Sequence, residues 1–158
     1  MPLYDEITQR LLLSLLLGFI MGYQRTKHHK PGGVRTHALV ALGSCLMTLV
    51  GGYGFTENEV VHDPLRVAAQ IVSGVGFIGA GIIYRQGANY IVGLTTAAAI
   101  WVAAGLGIAC GAGLYYPAFL TTFLVMVLFQ SHRWLEKYGW IDGTEPEPDY
   151  NEPKRPEE

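Results

Sequence analysis

Four polar side chains stand at helical spacing inside an apolar run, "DPLRVAAQIVSGVGFIGAGII" (63–83). Arg66, Gln70 and Ser73 fall at i, i+4 and i+7 on one face, with Asp63 one turn before Arg66. Hydrogen-bonding groups in a line along an apolar helix suit the lining of an ion or solute path. An arginine in lipid is costly, about 2.5–3.5 kcal/mol at mid-depth on insertion scales and less near a helix end. A face of this kind therefore turns toward protein or water. Two readings stay open: an interfacial Arg66–Asp63 pair that fixes helix depth, or the polar wall of a conduit.

Other chemistry-bearing types give less. Cys45 and Cys110 lie inside apolar runs with no spacing motif, so neither a disulfide nor a zinc site is indicated. "KHHK" (27–30) pairs histidines with bases rather than carboxylates, which makes a poor metal site. "GVGFIG" (74–79) matches the dinucleotide pattern G-x-G-x-x-G, but it sits within an apolar helix rather than between a strand and a helix. No nucleophile–histidine–acid set is legible, so the expectation is a protein that is not an enzyme and uses no cofactor or metal.

The elements that carry these residues follow from composition. Half of the 158 residues are hydrophobic and only 15% are charged, too few to cover a soluble surface. Five apolar runs read as membrane spans: Ile7–Tyr23, Thr36–Phe55, Pro64–Tyr84, Thr95–Ala112 and Leu114–Phe129. Asp5 and Glu6 precede the first, which does not suit a cleaved signal peptide. Residues 142–158, "DGTEPEPDYNEPKRPEE", hold seven of the thirteen acids and four of the eight prolines. The expected division is a transmembrane domain over 1–141 and a disordered acidic tail over 142–158.

Basic residues orient the spans. Arg25, Lys27, Lys30, Arg35, Arg85, Arg133, Lys137, Lys154 and Arg155 fall on one side, with only Arg10 and Arg66 on the other. The positive-inside rule then places the amino terminus outside and the carboxyl terminus in the cytoplasm. The fold expected is an all-α integral membrane protein of five transmembrane helices. "GFIMG" (18–22) and "GFIGA" (76–80) are followed 15 and 17 residues after their first glycine by "GVRT" (33–36) and "GLTT" (93–96). The echo reads as a 2+2 hairpin repeat plus a fifth helix, or as chance in a Gly- and Ile-rich chain.

Small residues place the helices. Without a hydrophobic force between helices in lipid, close backbone approach supplies the packing. Gly18/Gly22 and Gly107/Gly111 are G-x-x-x-G pairs, and Gly74, Gly76, Gly79 and Gly81 crowd the third span. The third helix is accordingly expected at the centre of the bundle. Thr36, Thr95 and Thr96 stand where two cytoplasmic helix starts are expected, where hydroxyls serve as caps. With Arg25, Arg35 and Arg85 they form either an inner mouth able to hold an anion or headgroup, or ordinary caps and topology charges. Five short helices enclose little alone, so the partners expected are the lipid bilayer and a second copy, a homo-oligomer with the dimer first. Another membrane protein is the alternative partner, and nothing points to nucleic acid.

"GVRTHALVALGS" (33–44), "DPLRVAAQIVSGVGFIGAGII" (63–83) and "GLTTAAAIWVAAGLG" (93–107) resemble the signature blocks of the MgtC/SapB family, in order and spacing over roughly residues 10–130. The resemblance implies a bacterial inner-membrane protein of about five spans. Members of this type are associated with survival at low magnesium and in macrophages, with modulation of the F-type ATP synthase, and with acid resistance. It implies a small transporter or channel linked to ion homeostasis, or a regulatory subunit that binds another membrane complex. Asn89 matches a family asparagine regarded as functional and joins the inner mouth on that ground. Gln24 replaces the usual acid before Arg25, and Val92 replaces the usual Arg before Gly93. Val102 stands where a Cys often follows the fourth-span Trp. The acidic tail, in place of the folded cytoplasmic domain of longer members, places the chain nearer the short SapB-like ones.

Overall fold

A computed structural model describes residues 4–28, 30–54, 63–86 and 90–138. The acidic tail, Asn89, His29 and most of the 56–63 segment lie outside the described residues. Five helices follow in order: α1 (Tyr4–Lys27), α2 (Val34–Tyr53), α3 (Pro64–Ile82), α4 (Leu94–Gly111) and α5 (Tyr115–Lys137). Between α3 and α4 a short antiparallel hairpin pairs β1 (Tyr84–Gln86) with β2 (Tyr90–Val92), Arg85 facing Ile91 in register. That hairpin lies between the spans expected over Pro64–Tyr84 and Thr95–Ala112. Its strands combine aromatic and β-branched residues, types that favour extended backbone.

Among the described residues three helices, Val34–Tyr53, Leu65–Ile82 and Leu94–Gly111, are long and apolar enough to cross a membrane, and a shorter apolar stretch covers Tyr115–Ser131. Helix α1 has 24 residues but carries charges at both ends: Asp5 and Glu6 in its first turn, Arg25 and Lys27 in its last.

The chain divides into two compact units, residues 1–126 and 127–158. In the second, the described residues complete α5, with the rings of Trp134 and Tyr138 in edge contact at 4.7 Å.

In the first unit, α4 is the central helix. Half of its span is buried, against 17% of α3's. One face of α4 joins Leu106 and Cys110 to Leu17 and Met21 of α1 and Cys45 and Leu49 of α2, with Ala118 of α5 in the same cluster. Another joins Ile100 and Ala104 to Ile71 and Val75 of α3. This corrects the expectation that α3 threads the middle. Abundant Ala and Gly give α4 two faces thin enough for neighbours on both sides, whereas α3 meets the bundle through one narrow stripe.

Glycines decide how close the central helices come. A Cβ on Gly107 would lie 2.2 Å from the Ala41 carbonyl oxygen, and one on Gly18 would lie 2.7 Å from that of His37. Gly22 and Gly111 are equally confined, by Val34 and Thr48. Within α3, a Cβ on Gly79 would touch Ala97 at an ordinary 3.5 Å, while Gly74, Gly76 and Gly81 have nothing within 4 Å. Clustered glycines on α3 therefore leave open space in the single chain.

Helix ends follow local chemistry. Asp63 caps α3, its carboxylate accepting from the Leu65 N–H at 2.9 Å, with Pro64 at the first helical positions. The helix starts at 34 and 94 are different from those expected. Gly33 and Gly93 are the N-caps, with no side-chain cap of their own, and Thr26 reaches across the turn to accept from the Val34 N–H at 3.0 Å. Thr36, Thr95 and Thr96 lie inside the first turns and do not cap. Gly93 has φ +97°, and a Cβ there would stand 2.3 Å from the Ile82 carbonyl oxygen, so the turn from hairpin to α4 admits only glycine. Helix α4 closes in a Schellman motif: Leu114 N–H to Ala109 O at 2.8 Å and Gly113 N–H to Cys110 O at 3.0 Å.

The contrast among glycines is testable by thermal unfolding in detergent. Gly107→Ala, forced against backbone, is expected to lower stability by about 1–3 kcal/mol. Gly76→Ala, with open space, is expected to leave it unchanged or raise it by up to about 1 kcal/mol.

Candidate functional site

Buried polar groups gather at the two ends of the α1–α2–α4 bundle. Arg10 holds one end, although only 6% of it is exposed. Its Nη1 donates to the Gly111 carbonyl oxygen at 2.6 Å and to the Tyr53 hydroxyl at 3.2 Å, and its Nη2 pairs with Glu6 one turn earlier. The guanidinium also lies over the Tyr53 ring, 5.6 Å from its centroid. A cation against the last carbonyls of α4 meets the negative end of that helix dipole. One side chain thus ties α1, α2 and α4 together. Arg10, read from sequence as a topology charge alone, is a structural clasp.

Arg25 holds the opposite end, 8% exposed. Its Nη2 donates to the Thr96 hydroxyl of α4 at 2.5 Å. His37, fully buried in the first turn of α2, sets its Nδ1 3.2 Å from the Gly33 carbonyl oxygen. Gly32, at φ +68°, fits among Thr96, Ile100 and His37, where a Cβ would sit 2.7 Å from the Thr96 methyl carbon. Of the inner-mouth residues expected from sequence, Arg25 and Thr96 are joined directly. Arg35 and Thr95 are exposed and Thr36 is half-buried. Arg85 is exposed on β1.

Between the ends lie Ser14, Ser44, Cys45 and Cys110, all buried. Thr48 returns its hydroxyl to the Ser44 carbonyl oxygen at 2.8 Å, one turn back in the same helix. Leu17, Met21 and Leu106 fill the space between the arginines, so the bundle axis is packed rather than hollow. An open groove of about 440 Å³ lies on α1, lined by Gln9, Leu12, Leu13, Leu16 and Tyr115. Its wall is apolar. Among the described residues no three His, Cys, Asp or Glu side chains gather in a way that suits a metal ion.

The α3 stripe stands apart from both clusters. Asp63, Arg66, Gln70 and Ser73 are all exposed, on the face turned away from α4. A stripe that the sequence places in a protected interior is thus on the rim of the single chain. Sequence reasoning missed Arg10 and His37 as buried polar anchors. A signal for Arg10 was present in the i, i+4 spacing of Glu6 and Arg10, the usual geometry of an intrahelical ion pair.

Removing the clasp has a graded cost. Arg10→Met is expected to lower stability by about 3 kcal/mol, at the low end for a broken buried pair because the half-exposed Glu6 rehydrates. Arg10→Lys is expected to recover only part of this, since one ammonium does not reproduce the planar fork that serves Glu6, Tyr53 and Gly111 together. Thermal unfolding of the purified variants in one detergent, with helicity measured before heating, gives the comparison.

The MgtC family matches this chain over residues 11–138. Protein SapB of Bacillus subtilis is 42% identical over 82% of the chain, which covers 58% of SapB. The Escherichia coli K12 protein named "Putative magnesium transporter YhiD" is 43% identical over 79% of the chain, covering 61% of that protein. Protein MgtC of Brucella abortus is 43% identical over 72%, covering 46% of that MgtC. The chain thus spans about half to three-fifths of the length of these relatives, SapB included, which corrects the expectation that SapB-like members are short. No solved structure matches it. With apolar helices long enough to span a bilayer and a family match across nearly all of its described residues, the chain is a membrane protein that belongs to the MgtC family.

Proposed function

We propose that this chain is a five-crossing protein of the bacterial inner membrane, amino terminus outside and carboxyl terminus cytoplasmic, that moves an ion or small solute in magnesium or acid-stress homeostasis. The name carried by YhiD supports the substrate class. Helix α1, the least apolar, supports the five crossings: 24 residues reach about 36 Å. Its Arg10 and Arg25 are turned inward onto Glu6, Tyr53, Gly111 and Thr96 rather than toward lipid.

The path runs along the exposed face of α3. The observation that carries this is the Arg66–Gln70–Ser73 stripe, whose polar groups face outward from an otherwise apolar helix and need protein or water against them in a membrane. Among the described residues, Leu17, Met21 and Leu106 pack the interior of α1, α2 and α4. Magnesium prefers a shell of oxygen ligands, and the stripe offers one carboxylate, Asp63, already accepting from Leu65 N–H. A divalent ion on this route keeps its waters.

A second reading has its own observation. The open, mostly apolar groove on α1 offers a surface to a neighbouring protein, and a regulatory subunit that binds another membrane complex, such as the F-type ATP synthase, needs no conduit at all.

Purified chain in liposomes separates the two. Flux of magnesium, protons, potassium or phosphate is expected to fall at least tenfold in Arg66→Ala, with partial recovery in Arg66→Lys. Equal flux in wild type and Arg66→Ala overturns the proposed path. Absence of flux for every solute in that panel, with a membrane complex co-purifying, selects the regulatory reading instead.

A further inference from the structure

Most of α3 is exposed, and one line along it lies opposite the stripe that meets α4. Asp63, Arg66, Gln70, Ser73, Phe77 and Ala80 follow one another at spacings of 3, 4, 3, 4 and 3, the spacing of a and d positions in a heptad seam. All six are exposed, Phe77 to 85%. Ile71, Val75 and Gly79, which face α4, lie roughly half a turn away. The seam is therefore the middle of the surface that α3 leaves exposed, and the part of it that carries the polar side chains. Beside it, Gly74 and Gly81 have nothing within 4 Å of an added Cβ, which leaves room for another backbone.

We infer that this seam is the interface between two copies of the chain, their α3 helices parallel and related by a two-fold axis along the membrane normal. The inference rests on the membrane reading above for the shared orientation, but not on transport. The chemistry of the seam fits itself. A two-fold axis sets each layer against its own copy, so each side chain must be its own complement or find its complement one turn away. Gln70 offers both an N–H donor and a carbonyl acceptor, and Ser73 a hydroxyl that does both. Asp63 and Arg66, opposite in charge and one turn apart, form two equivalent cross-pairs, each Arg66 with the Asp63 of the other copy. Below them Phe77 meets Phe77 and Ala80 meets Ala80, a dry layer closed by small neighbours.

A different protein would need a matching stripe of its own, and lipid would leave the charge and the amide unanswered. A polar residue at an a position also favours one register over slipped ones, the role open to Gln70 here. The arrangement places the polar stripes of two copies together on the outer side of the seam, with Phe77 beneath, and so supplies the cover that the single chain lacks. It is an alternative to the path proposed above, because paired side chains over a dry Phe77 layer close that route.

Disulfide scanning in native membranes tests this. In the full chain carrying Cys45→Ala and Cys110→Ala, single cysteines replace Gln70, Ser73, Phe77 or Ala80 on the seam, and Val72 or Ile78 off it. Val72 and Ile78 are exposed too, at 38% and 41%, so accessibility alone does not separate the sets. Oxidation is expected to yield cross-linked dimer at least fivefold more at the seam positions. Equal yields in both sets, no dimer at any position, or adducts with another protein would overturn the inference. In mild detergent the wild-type chain is expected at twice its monomer mass, and Ala80→Trp at the monomer mass with helicity retained. A wild-type monomer, or a dimer undisturbed by a folded Ala80→Trp chain, has the same adverse meaning. Periodic cross-linking without flux leaves the seam and removes transport, whereas flux without periodic cross-linking does the reverse.

Discussion

Backbone contact between helices is the constraint on which this structure depends. In a bilayer, lipid tails solvate leucine as well as another helix does, so association relies on close van der Waals fit. Here the fit is made where α1 and α4 each press a glycine onto carbonyl oxygens of α2, at His37 and Ala41. Any side chain at Gly18 or Gly107 would push the helices apart and loosen the clusters around Leu17, Met21, Leu106 and Cys110 with them. The central position of α4 agrees with this, because it meets α2 through Gly107 and Gly111 and α3 through Ile100 and Ala104.

The arginines are placed by the same closeness. Arg10 reaches the Gly111 carbonyl oxygen because α1 lies against the end of α4, and Arg25 reaches Thr96 because α1 lies against its beginning. Each buried cation meets a hydrogen-bonding partner supplied by another helix, as a charge withdrawn from water requires. The pair sits at opposite ends of the bundle, with Leu17, Met21 and Leu106 packed between beside the buried Ser14 and Ser44. That arrangement makes them fasteners of a closed three-helix body rather than stations on a path through it.

A closed body moves attention to the periphery. Helix α3 is held by Ile71, Val75 and Gly79 along one stripe and shows its polar groups outward. Family membership and apolar helices make the chain a membrane protein. In that setting a half-polar exposed face is a requirement for company, which gives the transport reading and the interface inference a common physical root. They differ in whether the outer half of the stripe is wet or dry.

Much of the fold was legible in the residues themselves. Apolar runs of bilayer length marked the helices, Asp63–Pro64 marked the start of α3, and G-x-x-x-G at 18/22 and 107/111 marked contacts that the structure makes. These are local properties, set by hydropathy, caps and the absence of a side chain. Which glycines meet a neighbour is not local: Gly74, Gly76 and Gly81 look like Gly107 in composition and differ only in what lies across from them. The burial of Arg10 and the Arg25–Thr96 contact likewise join residues 101 and 71 positions apart. The sequence alone determined that helices form and that some of them pack closely. Only the tertiary structure decided that α4 is central and α3 peripheral, because a thin face becomes a contact only when another helix is brought against it.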